Sequence, residues 1–198
     1  LDGFRLALRR CRISGDAPNL RAILPARTVG EIVKILEDDE NKMAILLFGG
    51  AQMTLNLGQT QFYSTLIEGE YIDYRRIIPA GWKTRARFDR TAFSDCVERS
   101  SLIARAGKNN LMKIQVETDH LVVTSNAENG DAYEEFDAEV EGEGLSIAFN
   151  VQYVSDILRA MPEVEAYFCF NSPVSPCIIR PVEGDDFTYL MLPVRVTA

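Results

Sequence analysis

The chain has 198 residues, 46% of them hydrophobic and 25% charged, with a net charge of −8. That length suits one domain or two small ones, and no apolar run approaches the roughly 20 residues that span a bilayer. The acidic balance argues against nucleic acid as a partner of the average surface. The charge is uneven, however. Residues 1–36 carry seven basic and three acidic groups, whereas residues 131–143 carry seven acidic groups and no basic one. An acidic protein can still turn one mildly basic face toward phosphates.

The first regular pattern starts at Pro25. Val29, Ile32 and Val33 lie four, seven and eight residues on, which is one face of a helix, and proline suits a first helical turn. The period then falls to two at Met53, Leu55 and Leu57, with turn signals at Gly49-Gly50 and Glu68-Gly69. Asp89 opens a second helix as a candidate N-cap, and Phe93, Cys96 and Val97 repeat the same offsets. Met112, Ile114 and Val116 alternate next. After Asn129-Gly130, Phe136, Ala138 and Val140 alternate with Glu135, Asp137, Glu139 and Glu141, and a turn follows at Glu141-Gly142. Asn150 caps a third helix with Val154, Ile157 and Leu158 on its apolar face. Val164, Ala166, Phe168 and Phe170 predict a further strand, and Glu183-Gly184-Asp185 a late turn.

Three helix-and-strand repeats predict an α+β fold, with helices on one side and antiparallel sheet on the other. Two repeats make a domain. Residues 82–198 hold two, and residues 1–81 hold one repeat and the tail of another, so an unpaired repeat is expected to lack a partner for its apolar surface. The chain opens Leu1-Asp2-Gly3 without Met or a visible secretory signal, so an upstream portion and a cytoplasmic setting are expected. Cys11, Cys96, Cys169 and Cys177 lie far apart with no C-x-x-C. An even count admits two disulfides, but the spacing is not that of a disulfide scaffold, and free thiols are expected.

Catalytic patterns are missing. The single histidine, His120, falls at a turn between strands, and with scattered cysteines no metal site or cofactor is expected. There is no P-loop, Rossmann glycine pattern or G-x-S-x-G elbow. The acidic runs Glu37-Asp38-Asp39-Glu40 and Asp185-Asp186 read as solvated loop charge. Nothing assembles a base, a nucleophile and an oxyanion hole, so no enzyme is expected.

Five segments in order along the chain carry a resemblance: Asp2-Gly3-Phe4-Arg5-Leu6-Ala7; Leu66-Ile67-Glu68-Gly69-Glu70-Tyr71-Ile72-Asp73-Tyr74-Arg75-Arg76-Ile77-Ile78-Pro79; Lys108-Asn109-Asn110; Phe149-Asn150-Val151-Gln152-Tyr153-Val154; and Tyr189-Leu190-Met191-Leu192-Pro193-Val194-Arg195-Val196. They resemble the corresponding segments of bacterial beta sliding clamps, the beta subunit of DNA polymerase III. The second and last are the most specific. The resemblance implies the DNA clamp (processivity) fold, helices on the inner side and antiparallel sheets on the outer. Residues 1–81 would be the C-terminal part of the second (middle) clamp domain, and 82–198 the third.

The resemblance also implies a homodimer ring around duplex DNA, held without reading sequence, and processivity for the replicative polymerase. A pocket would take short peptide motifs of polymerases, the clamp loader and repair proteins. One part of it is assigned to Gly3, Phe4, Arg5, Leu6, Ile72, Ile77, Leu190 and Leu192. The adjoining part is assigned to Arg76, Asn150, Tyr153, Val174, Pro176, Met191, Pro193, Val194 and Arg195. Phe4 stands where the family often has His, Ile72 where it has Pro and Leu192 where it has Met, which alters the pocket's shape and keeps it apolar. Thr197-Ala198 extends past the common ending. On the residues alone, Ile72, Ile77, Leu190 and Leu192 read first as plain core. Apolar side chains from three distant segments with Arg76 and Arg195 near them also suit a linear peptide with hydrophobic anchors.

Helix residues off the apolar faces are candidates for the DNA side: Arg27, Lys34, Arg90, Arg99, Arg105 and Arg159. Each alone reads as a solvated charge; as a set they suit phosphates without base contacts. The acidic strand 134–141 is expected to face away from DNA. Leu102 and Ile103 are placed at the subunit interface by the resemblance, and by their own chemistry could equally close the core. The partner surface would be a first domain that this chain lacks, so the fragment is expected to be monomeric. Two rival readings stay open: a peptide-binding adaptor that does not encircle DNA, and an enzyme using a metal at the acidic loops.

Overall fold

A computed structural model describes residues 1–12, 19–36, 39, 42–107 and 110–196. Lys108, Asn109, Glu37, Asp38, Glu40 and the Thr197-Ala198 extension lie outside the described residues. In chain order the elements are β1 (Arg5–Arg9), α1 (Ala26–Ile35), β2 (Ile45–Gly49), β3 (Gln52–Asn56), β4 (Gln61–Thr65), a short 3-10 turn (Tyr74–Arg76), β5 (Thr84–Asp89), α2 (Arg90–Ala104), β6 (Leu111–Val116), β7 (His120–Ala127), β8 (Gly130–Glu141), β9 (Leu145–Asn150), α3 (Val151–Ala160), β10 (Glu165–Phe170), β11 (Cys177–Pro181) and β12 (Phe187–Met191). They fall into two units, one of Leu1–Arg12 with Tyr74–Ala198 and one of Ile13–Asp73.

The smaller unit is α1 with the antiparallel sheet β2-β3-β4. Pro25 begins α1 without a side-chain cap. Met53 and Leu55 are buried as their alternation requires, and Leu57 lies half-buried just past the strand. No residue of α1 is buried; Val29 is 45% and Val33 66% exposed. Among the described residues the apolar face predicted from the sequence is largely exposed, with Ile32 half-buried, and β2 likewise exposes Ile45, Leu46, Leu47 and Phe48.

In the larger unit nine strands run in the order β1-β12-β11-β10-β5-β8-β7-β6-β9. The long β8 serves both halves: its first part pairs with β7, from Gly130 opposite Ala127 to Asp137 opposite His120, and its last part pairs with β5, from Ala138 opposite Phe88 to Glu141 opposite Arg85. The sheet curls back on itself. β9 and β10 are five places apart in the order, about 24 Å in a flat sheet, yet the Phe149 and Phe168 rings stack with centroids 5.7 Å apart. Behind the last strand, Val194 N–H donates to the Ala148 carbonyl at 2.8 Å, so the closing segment runs beside β9.

Helices α2 and α3 pack on each other, and α2 crosses β5, β6, β7 and β8. Both are capped as predicted: Asp89 Oδ1 accepts Ala92 N–H at 2.8 Å, and Asn150 Oδ1 accepts Gln152 N–H at 2.9 Å. Phe93, Cys96 and Val97 of α2 and Val154, Ile157 and Leu158 of α3 are buried, and Phe93 stacks on Phe136 with centroids 4.9 Å apart. Val164 departs from its predicted alternation. It precedes β10 and is 62% exposed, and its carbonyl accepts Arg90 N–H at the start of α2.

Strands β10, β11 and β12 are buried on both faces. Phe168, Ile179 and Tyr189 belong to the main core, while Cys169, Ile178 and Leu190 turn the other way. There they meet Leu6 of β1 and, half-buried, Tyr74, Ile77 and Ile78. This second cluster explains why the division into units differs from a cut at residue 81. β1 adds to β12, from Arg5 opposite Met191 to Arg9 opposite Phe187, and the 74–78 segment lies over the sheet. All four cysteines are free thiols, with Cys96, Cys169 and Cys177 buried and Cys11 exposed. Burial, and then the neighbouring Cys169, pushes the Cys177 thiol well above its usual range.

Candidate functional site

The two ends of the larger unit's chain meet at one notch. Asp2 starts it: its Oδ1 accepts the N–H groups of Phe4 at 3.1 Å and Arg5 at 2.8 Å, a tight turn that Gly3 permits with a φ of 87°. Arg5 then donates Nε and Nη2 to Asp2 Oδ2 at 2.9 and 2.8 Å, and Nη1 to Asp156 Oδ2 at 2.7 Å. Its guanidinium carbon stands 4.3 Å from the centre of the Tyr153 ring, and the Phe4 ring lies 6.1 Å from the same ring. Partial burial works to raise the Asp2 carboxyl pKa. The bonds from Arg5 and from the Phe4 and Arg5 backbone outweigh it and hold the group below the usual carboxylate range.

An apolar floor adjoins this polar corner. Leu6 and Leu190 are 5% and 3% exposed and, with Cys169 and Ile178, form the buried layer under Ile77, Ile78, Tyr74 and Leu192. Leu192 is tied in place by its N–H, which donates to the Phe4 carbonyl at 2.9 Å. The plain-core reading thus describes Leu190, whereas Ile77 and Leu192 are half-buried members of the cluster's rim. Met191 faces the main core at 1% exposure, since neighbouring strand residues point to opposite sides. Phe4 (57%) and Val174 (61%) are exposed, as are Gly3, Arg76 and Arg195; Asn150, Tyr153, Pro176, Pro193 and Val194 are half-buried. The Asn150 side chain is spent on the α3 cap. Ile72 belongs to the smaller unit and is 55% exposed.

Five of the six candidate cations are exposed, Arg90 is half-buried, and they are not all unopposed. Lys34 pairs with Glu31 at 3.0 Å, Arg99 with Glu134 at 2.7 Å and Arg159 with Asp156 at 3.9 Å, while Arg105 reaches Gln152 Oε1 at 3.5 Å. Arg27 and Arg90 show no ion pair among the described residues. The acidic strand faces away from α2 at Glu135, Asp137, Glu139 and Glu141, where Arg85 meets Glu141 at 2.6 Å and Arg87 meets Glu139 at 3.3 Å. Glu134 differs from these four. It shares the Phe136 side of β8, the side turned to α2, and so reaches Arg99. Arg99 in turn holds its carboxyl below the usual range. Leu102 is 72% exposed on α2 and does not close the core, which its neighbours Ser101 and Ala104 do; Ile103 is half-buried. His120 starts β7 with its ring beside Asp119, whose carboxylate raises the imidazole pKa.

Residues 75–195 match the family model for the DNA polymerase III beta subunit, C-terminal domain, and residues 1–73 match that for the central domain. The chain belongs to the DNA polymerase III beta subunit family. A beta sliding clamp of Staphylococcus aureus is 34% identical over 196 residues, covering 98% of this chain and 52% of the relative. The crystal structure of a DNA polymerase sliding clamp from Bacillus subtilis is 30% identical with a TM-score of 0.92, covering 99% of this chain and 52% of the other. That of a putative DNA polymerase III beta subunit from Eubacterium rectale is 26% identical with a TM-score of 0.94, covering 99% and 53%. The sliding-clamp fold expected from the sequence is the fold observed. The chain spans about half the length of the curated relatives it matches. No helix among the described residues of this beta-subunit chain is long and apolar enough to cross a membrane.

Several contributors to the notch were not read from the sequence. Asp2 and Asp156 are surface carboxylates whose partners only the folded chain brings near, although Asp2 two residues before Phe4 carried an Asx-turn signal. Cys169, Ile178 and Tyr167 stand in strands whose two-sided burial hides the alternation.

Proposed function

We propose that this chain supplies the central and C-terminal segments of a sliding clamp subunit that encircles duplex DNA and docks partner proteins through short peptides. The observation that carries the reading is the meeting of Phe4, Arg5 and Tyr153 beside the closing segment and over an apolar floor. A leucine or phenylalanine side chain of a linear peptide would settle against Leu192 and Ile77. Arg5 keeps unused N–H donors for the peptide's carbonyls, since a guanidinium has five.

On the DNA side, Arg99, Arg105 and Arg159 project from α2 and α3, and Arg27 and Lys34 from α1. Screened contacts of this kind hold a duplex loosely and read no base, which suits sliding. The exposed Leu102 with Ile103 is assigned to the contact that closes the ring. The chain would perform no chemical step of its own. A closed ring keeps bound polymerase near its template, so its effect is one of effective concentration. The test is retention of the full-length protein on circular plasmid, followed by linearisation. Release on cutting is expected; equal retention on linear DNA, or no retention on the circle, would contradict encirclement.

A second reading, an adaptor that binds peptides without encircling DNA, draws on the carboxylates that already oppose Lys34, Arg99 and Arg159. Peptide binding with no retention on circular DNA would favour it.

A further inference from the structure

The notch contains a carboxylate that faces two ways. Asp156 Oδ2 accepts Arg5 Nη1 at 2.7 Å, while its Oδ1 accepts Gln152 Nε2 at 2.7 Å and stands 3.9 Å from Arg159 Nη1. Gln152 Oε1 in turn lies 3.5 Å from Arg105 Nη2. Asp156 therefore joins the arginine of the docking notch to Arg159 directly and, through Gln152, to Arg105.

We propose that Asp156 is a positioning residue of the docking notch, holding Arg5 over the Tyr153 ring, and that Arg159 competes for the same carboxylate. The proposal rests on the peptide-docking reading above. Arg5 is held from two sides, by Asp2 on its own turn and by Asp156 across from it. Without Asp156 only the local contact remains, and the long side chain regains rotamers that leave the Tyr153 ring. A peptide must then reorder the arginine as it binds, which weakens affinity. Arg159 is 73% exposed, so its hold on Asp156 is the weaker and more screened of the two. A phosphate that draws Arg159 away leaves the carboxylate to Arg5. Peptide and DNA then favour each other's binding, equally in both directions by linkage.

The experiment is fluorescence anisotropy of a short fluorescein-labelled peptide with adjacent leucine and phenylalanine anchors and uncharged polar flanks. It is titrated against this chain as wild type, Asp156→Asn, Asp156→Glu, Arg159→Ala and the double variant Asp156→Asn with Arg159→Ala. Tyr153→Ala is the control for the notch, and thermal melts report folding. Asp156→Asn is expected to raise Kd about fivefold to tenfold, with Asp156→Glu recovering part of the loss and the loss shrinking as salt rises. Arg159→Ala is expected to lower Kd about twofold at low salt, and to do nothing in the Asp156→Asn background. A wild-type Kd in folded Asp156→Asn, alongside weakened Tyr153→Ala, overturns the proposal and leaves the docking reading intact. Unchanged affinity in Tyr153→Ala, or no binding by wild type, overturns the docking reading and this proposal with it. An Arg159→Ala effect that is nil, or equal in both backgrounds, overturns the sharing of the carboxylate.

Discussion

Arg5 lies 4.3 Å above the ring of Tyr153, joining the first strand of the chain to its last helix. The contact makes the notch a tertiary feature. β1 contributes the cation, α3 the aromatic face, and the segment after β12 closes the side through the Leu192–Phe4 backbone bond. The apolar floor beneath it is the second, smaller core of the larger unit.

The helix caps give the simplest prediction. Asp89→Ala and Asn150→Ala each remove the acceptor for an otherwise unpaired N–H at a helix start. Each is expected to lower unfolding free energy by about 1 kcal/mol in urea denaturation. Pro25→Ala takes away no side-chain cap and is expected to have a smaller effect.

Gly142 is constrained more tightly. Its φ is 101°, and an added Cβ would stand 2.2 Å from the Lys83 carbonyl oxygen, where β8 turns away beside β5. Gly142→Ala is expected to destabilise by more than about 2 kcal/mol. Gly184→Ala has a φ of 77° but open space around the new carbon, and is expected to have the milder effect in the same denaturation assay.

These local features were the most legible in the sequence. A helix start needs only a cap and an apolar spacing, both carried by adjacent residues, and all three helices begin where Pro25, Asp89 and Asn150 indicated. Long-range pairing was not legible. Nothing near Arg5 announces that β1 adds to β12. Period-two reasoning allots one buried face to a strand, so it does not show that two layers cover β12 and bury Leu6, Leu190 and Met191, which the resemblance had assigned to the pocket. The resemblance did bring Phe4, Arg5, Tyr153 and Leu192 into one group.

Acid should loosen the α2–β8 contact. Arg99 holds the Glu134 carboxyl below the usual glutamate range, so the folded state binds this proton less readily than the unfolded one. The stabilisation is complete above about pH 4.5 and is lost as pH falls through the depressed folded value. Glu134→Gln is therefore expected to flatten the acid limb of stability against pH, measured by thermal melts between roughly pH 3 and 6. An acid limb unchanged in the variant would count against the pairing.

Helix cations are expected to act weakly and together. In the full-length protein, Ala at Arg27, Lys34, Arg90, Arg99, Arg105 and Arg159 should shorten retention on circular DNA, most clearly at low salt and with a shallower salt dependence. Retention identical to wild type at every salt concentration would remove these residues from the DNA face.

The most direct measurement is titration of a short peptide with leucine and phenylalanine anchors against this chain and against Tyr153→Ala combined with Leu192→Ala, with both proteins shown to be folded. A docking notch at this place predicts at least about a tenfold loss of affinity in the double variant. Equal affinities would mean that peptides bind elsewhere on the protein.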